Sequence, residues 1–283
     1  MIVDTHLHSR SSGAAPFPVL PGAPPEGASG ETAEALLATL AACGVGGAVL
    51  VQWNSRHGYD NAYAADAIRR HPGRFAGVCS IDTGAADAAD RAAHWITAGG
   101  MRGVRLFNGF ALSPGDRPLR VDDARVRGVV DRCQALGVPL TVMSAAADLD
   151  AVASLARDRP ALPLLLDHLA LADDASRLLP LAALPNVALK FSTGVLAVRH
   201  DGSRASAGFA AERALIERLL EGFGARRLLW GSNYPQTPLP YRQIVELADV
   251  LLATQDASTR ALVMGGNALR YWPEIADWTA HAS

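Results

Sequence analysis

Two histidines lie one residue apart near the start of the chain, in the run Ile2-Val3-Asp4-Thr5-His6-Leu7-His8. Ile2 and Val3 read as buried strand. Side chains on a strand alternate faces, so Asp4, His6 and His8 share one parity and the two imidazoles project the same way. Such a pair at a strand end can hold a metal ion or polarise a carbonyl. Other polar residues close later apolar runs in the same manner. Gln52, Trp53 and Asn54 follow one run, Ser80 and Asp82 another, and Arg105 and Asn108 a third. Met143 and Ser144, then Asp167 and His168, then Lys190, Ser192 and Thr193, and finally Ser232, Asn233 and Tyr234 close the rest. An arginine inside a fold needs an anion, and the guanidinium fork of Arg105 suits a carboxylate.

These residues have to be gathered by the elements that carry them. The first strand is followed by a Pro/Gly/Ser-rich loop over residues 9–30, long enough to be functional. Apolar runs then alternate with helical patterns. Strands are expected at Gly47–Gln52, Phe75–Asp82, Met101–Asn108, Pro139–Ser144, Leu162–His168, Asn186–Thr193 and Arg227–Asn233. Helices are expected at Glu31–Cys43, Asn61–Arg70, Ala85–Ala98, Asp122–Leu136, Leu149–Arg157, Asp173–Ala183, Ala210–Gly222 and Leu239–Thr254, with an extra C-terminal helix over 258–271. A polar loop is expected at 194–208. Short continuous apolar strands are those of a parallel sheet covered on both faces. Eight βα units in 283 residues indicate an α/β fold, a (β/α)8 TIM barrel spanning residues 1–283 as one domain. An open doubly wound sheet is the competing architecture, but no Gly-rich dinucleotide turn is present. In a barrel the polar residues above all stand at the mouth, where active sites form.

The composition restricts partners. Hydrophobic residues make up 49% and charged residues 19%, and the net charge is −2 without a basic run. Nucleic acid is therefore not an expected partner. No apolar run reaches the length of a membrane span and the first residues lack a signal-peptide pattern, so no membrane partner is expected. Cys43, Cys79 and Cys133 are far apart in apolar surroundings and read as reduced thiols, which points to a cytoplasmic protein. A homodimer is compatible with the sequence.

Asp4-Thr5-His6-Leu7-His8, Asp167-His168-Leu169-Ala170 and the run LLWGSNYPQT ending the eighth strand together resemble the amidohydrolase superfamily. The match is nearest the amidohydrolase-2 group that contains 2-pyrone-4,6-dicarboxylate lactonase and sugar lactonases. VQWNSRHGYDNAY, GVRLFN and GGNALRYW extend the resemblance along the whole chain. It implies that His6, His8 and His168 line the reaction centre and that Arg105 holds an acidic substrate. Many superfamily members bind a divalent metal through the first-strand pair, with ligands from the fifth, sixth and eighth strands. Here the fifth strand ends in Met143-Ser144 and the eighth in Asn233, where the lactonases carry an aspartate base. No metal is expected to be required, although Zn or Mn at His6, His8 and His168 remains compatible with three nitrogen ligands.

Asn233 cannot act as a base, because an amide has no usefully basic lone pair; it can orient water or donate to an oxyanion. The expected function is a hydrolase that opens a lactone or related cyclic ester bearing a carboxylate. A metal-dependent decarboxylase and a non-hydrolytic isomerase or cyclase are the alternatives. Catalysis is assigned to His6, His8, His168 and Asn233. Substrate binding is assigned to Arg105, Gln52, Trp53, Ser80, Met143, Lys190, Ser192 and Arg204, with Arg199 beside the last. Several of these have a plainer reading. Arg105 pairs internally with Asp82 or Asp4, Lys190 pairs with Asp167, and Met143 only packs. Asp4 reads as the partner of a histidine, and His57 or Trp53 as a rim residue.

Overall fold

Eight parallel strands form one sheet in the order of the sequence, so each strand lies beside its chain neighbours. They are β1 Ile2–Leu7, β2 Val45–Val51, β3 Phe75–Ser80, β4 Val104–Asn108, β5 Leu140–Ser144, β6 Leu164–Leu166, β7 Val187–Ser192 and β8 Leu228–Gly231. The computed structural model describes residues 1–11, 16–22, 31–109, 119–198, 209–237 and 239–275. The sheet curls until β8 meets β1, giving the expected (β/α)8 barrel. Among the described residues, no helix is long and apolar enough to cross a membrane.

Alternation sorts each strand into an inner and an outer row. Val49 and Val51, Ala76 and Val78, Leu165, Ala188 and Leu229 pack together inside the lower barrel. Leu50, Cys79, Leu106, Val142, Leu166, Leu189 and Trp230 face the helices. Trp272 and Ile275 close the barrel floor, and the Trp272 indole N–H donates to the Arg102 carbonyl at 3.0 Å. Above the apolar floor the inner row turns polar, with Arg105, Asp167, Lys190 and Ser192 all buried. The floor thus forces any ligand to enter from the opposite mouth.

The first strand breaks its own alternation. Its ladder to β2 pairs Asp4 with Ala48 and Leu7 with Leu50, three residue steps against two, so β1 carries one extra residue. Such a bulge re-aims the side chains beyond it. Val3 faces the barrel floor, while Asp4 turns outward and accepts from the Tyr241 hydroxyl at 3.0 Å. The sequence parity of Asp4 with His6 and His8 is therefore not a shared face.

Helices α1 Ala33–Ala42, α2 Asn54–His57, α3 Ala62–Arg70, α4 Ala88–Thr97, α5 Arg127–Ala135, α6 Leu149–Asp158, α7 Thr193–Val198, α8 Ala210–Phe223 and α9 Tyr241–Leu251 surround the strands. Three expectations need correction. The helix at Asp173–Ala183 is two short 3-10 turns, Ala175–Arg177 and Leu179–Ala183, because Pro180 removes an amide donor in mid-segment. The helix over 258–271 is three pieces, α10 Ala257–Ala261, a wide turn Leu262–Gly266 and α11 Ala268–Tyr271. The wide turn is fixed by the Asn267 N–H donating to the Leu262 carbonyl, and the backbone of Gly265 leaves no room for a Cβ against Met1. The start of the 194–208 loop is helical as α7, and the rest lies outside the described residues.

Gly231 faces the same interior as His6. A Cβ there would stand 2.8 Å from the His6 Cβ and 3.0 Å from its backbone nitrogen. Gly231→Ala is expected to lower stability by about 1–3 kcal/mol through overpacking, read as a lower urea midpoint at unchanged slope. An unchanged midpoint would show that β1 can give way at His6.

Candidate active site

The seam between β8 and β1 places the first catalytic candidates. A regular ladder is replaced there by side chains and single bridges. Asp4 Oδ1 accepts the backbone N–H groups of His6 (3.0 Å) and Ser232 (2.9 Å), and Thr5 Oγ1 donates to the Trp230 carbonyl at 2.6 Å. The Asn233 N–H donates to the His6 carbonyl at 2.7 Å, and the His8 N–H to the Tyr234 carbonyl at 2.8 Å. Asp4 therefore orients His6 through its backbone, not through its imidazole. Burial raises the Asp4 carboxyl to about 6 despite these donors.

Three imidazoles meet above the apolar floor. The His6 ring lies 5.1 Å from that of His8 and 4.4 Å from that of His168, and the His8 ring 5.8 Å from that of Trp53. His8 Nδ1 stands 2.8 Å from the Val51 carbonyl, which can only accept, so that nitrogen carries the proton and Nε2 keeps its lone pair. His168 comes from an unusual backbone. His168, Leu169, Ala170 and Leu171 have φ of 53°, 54°, 50° and 54°, a left-handed turn beginning where β6 ends. This conformation costs about 1–2 kcal/mol per residue outside glycine. It swings His168 onto Ser192, with Nδ1 2.7 Å from the hydroxyl, and its Nε2 3.5 Å from Arg105 Nη2.

Asp167, just before that turn, is the electrostatic hub. Its Oδ2 accepts from Arg105 Nε at 2.8 Å, and its Oδ1 lies 3.0 Å from Lys190 Nζ and 3.4 Å from His6 Nδ1. Arg105 therefore pairs with Asp167, not with Asp82 or Asp4, and the Lys190–Asp167 pairing is present. Burial alone would push the Asp167 carboxyl up, but Lys190, with His6 and Arg105, holds it well below the usual carboxylate range. The two cations differ in reach. The Lys190 side chain is 0% exposed, whereas 8% of the Arg105 side chain reaches the mouth. Arg105 also lies 4.9 Å above the Phe107 ring, which keeps its guanidinium face dry.

The remaining predicted residues separate into groups. Ser192 and Lys190 touch the histidines. Gln52 spends its amide hydrogens on the carbonyls of Gly58 (2.9 Å) and Asp60 (2.8 Å), so it shapes the loop after β2. Ser80 donates to Asn54 Oδ1 at 2.8 Å and belongs to that same loop scaffold. Met143 is half-buried opposite Phe107 on the neighbouring strand. His57 holds part of the first loop, its ring nitrogens lying 3.1 Å from the Pro18 carbonyl and 3.5 Å from the Ser11 N–H. Arg199 and Arg204 lie outside the described residues. The sequence reading pairs Asp167 with Lys190 but not with Arg105; the signal for both is its inner parity with Leu165, facing two inner cations.

Four buried polar atoms of this histidine–aspartate cluster have no hydrogen-bond partner: His6 Nε2, His8 Nε2, Asn233 Oδ1 and Asp167 Oδ1, the last held only by its ion pair with Lys190. Buried polar groups are nearly always paired, so such a cluster marks where water or a ligand binds. The donors do not add up to a zinc or manganese site as they are arranged. Asp167 is engaged by Arg105 and Lys190, His168 faces Ser192 and Arg105, and only His6 and His8 have an open nitrogen. Among the described residues no three His, Cys, Asp or Glu side chains are grouped to hold a metal ion, where catalytic zinc uses three protein ligands.

Burial, with the Arg105 charge, lowers His8 to about 3, and burial lowers His168 to about 3 against the opposing pull of Asp167. Both rings are neutral across the physiological range. Folded, they bind fewer protons than unfolded histidines with the ordinary value of 6.5. Their contribution to stability is therefore full above about 6.5 and lost as pH falls toward about 3. Together they are expected to give a slope of up to about 3 kcal/mol per pH unit near the middle of that window. Urea titrations at a series of pH values measure it, and His8→Gln should remove about half; a flat profile between these limits would contradict the neutral assignment.

Several solved proteins share this fold. A Burkholderia multivorans amidohydrolase with bound zinc has a TM-score of 0.77 and 26% identity, covering 97% of this chain and 99% of its own. A Pseudomonas putida protein described as a candidate 2-pyrone-4,6-dicarboxylic acid hydrolase has a TM-score of 0.75 and 25% identity, covering 96% and 97%. A Novosphingobium aromaticivorans 5-carboxyvanillate decarboxylase with bound manganese, at 14% identity and a TM-score of 0.64 over 84% and 80%, shares the fold alone. No curated protein matches the chain. The amidohydrolase family model matches residues 3–273, and the chain belongs to that family of enzymes.

Proposed function

We propose that this protein hydrolyses a lactone or related cyclic ester that carries a carboxylate. The observation that carries the reading is the pair of unpartnered acceptors, His8 Nε2 and Asn233 Oδ1, in one buried cluster with Arg105, 8% of whose side chain is exposed. Asn233 is among the groups that act on the His8 ring. A water that donates its two hydrogens to these acceptors turns a lone pair toward an ester carbonyl. Arg105 holds the substrate's carboxylate with the part of its guanidinium that Asp167 leaves free. Water attacks the carbonyl carbon as its proton passes to His8 Nε2. The ring C–O bond then breaks, and the same proton moves from His8 to the departing ring oxygen. His8 thus replaces the aspartate base that Asn233 cannot supply.

The partner implied is a small acidic molecule. The similarity to a candidate pyrone dicarboxylate hydrolase supports lactone chemistry and a carboxylate handle. No step in this scheme is routed through a metal ion. A decarboxylase needs no attacking water, so a site built around two water acceptors favours hydrolysis.

A panel of carboxylate-bearing lactones, followed by acid release, tests the reading. Turnover is expected to persist after dialysis against a chelator; loss of activity that zinc or manganese restores would favour the metal-dependent decarboxylase alternative. Arg105→Lys should raise KM by roughly 10- to 100-fold with a smaller change in kcat, through loss of the planar fork. Asn233→Asp places a carboxylate beside His8 and should shift the pH–rate profile. An unchanged profile would remove Asn233 from the mechanism, and tight binding of hydroxy acids without turnover would favour a non-hydrolytic protein.

A further inference from the structure

The groups around the histidines decide which ring nitrogen of each carries its proton. The Val51 carbonyl fixes the proton of His8 on Nδ1. A guanidinium only donates, so His168 Nε2 accepts from Arg105 and its proton sits on Nδ1, toward Ser192. His6 has a different neighbour. Its Nδ1 lies 3.3 Å from Lys190 Nζ, in hydrogen-bonding geometry, and an ammonium has no lone pair to offer. Asp167 Oδ1 is 3.4 Å from the same nitrogen but accepts no hydrogen bond from it, and its contact with Lys190 at 3.0 Å is an ion pair.

Lys190 cannot serve the ligand directly. Its ammonium is enclosed between Asp167 and the floor, where it lies 5.8 Å from the Trp272 ring, and none of the side chain is exposed. What it can do is choose the tautomer of the ring above it. Orientation of a histidine by the partner of its other nitrogen is a general device.

We infer that Lys190 is a positioning residue that holds His6 as the Nε2–H tautomer, so that His6 and His8 present opposite polarities to one ligand. His6 Nε2–H is then a hydrogen-bond donor and His8 Nε2 an acceptor, on rings 5.1 Å apart. Both nitrogens are buried and unpartnered in the protein. Resting on the hydrolytic reading, this assigns His6 to the carbonyl oxygen as it becomes an oxyanion, and His8 to the water. The inference also explains why a lysine lies beneath a histidine that it does not neutralise. The substrate group selected is one with an acceptor oxygen next to an electrophilic carbon, as in an ester or lactone carbonyl.

Two-bond proton–nitrogen spectra of the protein labelled with 15N-histidine report the tautomer of each neutral ring without reference to activity. The wild-type spectrum is expected to contain His8 and His168 as Nδ1–H and His6 as Nε2–H, with His6 assigned by its loss in His6→Gln. In Lys190→Met, His6 should switch to Nδ1–H toward Asp167 while His8 and His168 stay unchanged. In that variant kcat should fall by about 100-fold, with KM within about threefold, and Lys190→Arg should restore the wild-type tautomer. His6 found as Nδ1–H in the wild-type protein overturns the inference, as does an unchanged His6 signal in Lys190→Met. Should Lys190→Met fail to fold, the wild-type spectrum decides. The expected tautomers in a protein that opens no lactone would overturn the hydrolytic reading and leave this one standing.

Discussion

The Asp167 carboxylate is the interaction on which the mouth of this barrel depends. It binds Arg105 from β4 and Lys190 from β7, and so ties opposite parts of the wall across the interior. Either cation alone there would be costly, because desolvating an unpaired ion costs several kcal/mol. Removing the carboxylate would leave two uncompensated charges, at about 3–5 kcal/mol for a broken buried pair. Such a network contributes little net stability compared with apolar packing. Its value lies in fixing where Arg105 and Lys190 point, and through them the states of His168 and His6. The left-handed turn after Asp167 follows from the same constraint. A right-handed continuation would carry His168 away from Ser192, so the strain of four consecutive residues at positive φ is retained next to the site.

A second constraint sits at the closing seam. Barrels need all edges paired, yet β1 and β8 do not form a regular ladder. Asp4 takes its place, accepting from β1, from β8 and from α9 at once. The bulge after Asp4 is what allows this division of labour. One residue faces out to bind the seam, and the next polar pair faces in to meet the ligand. Gly231 completes it by leaving the space that His6 enters.

Much of this was legible in the sequence because it depends on periodicity. Short apolar runs gave the strands, and the polar residues at their ends mark the mouth, which is why His6, His8, His168, Arg105 and Lys190 do meet. What was not legible depends on local departures from that periodicity. An inserted residue in β1 leaves no compositional trace, so Asp4 was assigned to the histidine face. Pro180 is visible in the sequence, but the apolar spacing around it reads as one helix, whereas the proline begins a separate 3-10 turn. The left-handed turn at 168–171 contains no glycine, so no propensity announces it. The sequence reading seeks the partner of Arg105 in Asp82 or Asp4 and gives Asp167 to Lys190 alone, whereas Asp167 holds both cations. Pairing across a barrel interior links strands that are distant in sequence, and a single chain does not reveal it.

The amide at position 233 makes physical sense once the charges are counted together. Asn233 has a φ of 58°, a conformation that Asn and Asp tolerate better than other side-chain-bearing residues, and its N–H holds the His6 carbonyl. Either residue would satisfy the backbone. The side chain is then free to be chosen for charge. A carboxylate there would lie beside His8, draw that ring toward its protonated form and compete with Asp167 for Arg105. An amide leaves His8 neutral with its Nε2 lone pair unpartnered, and adds no second carboxylate to the one that already holds Arg105. The amide at the eighth strand is thus coupled to the neutral state of His8, and under the proposed hydrolysis the base is His8 in place of residue 233.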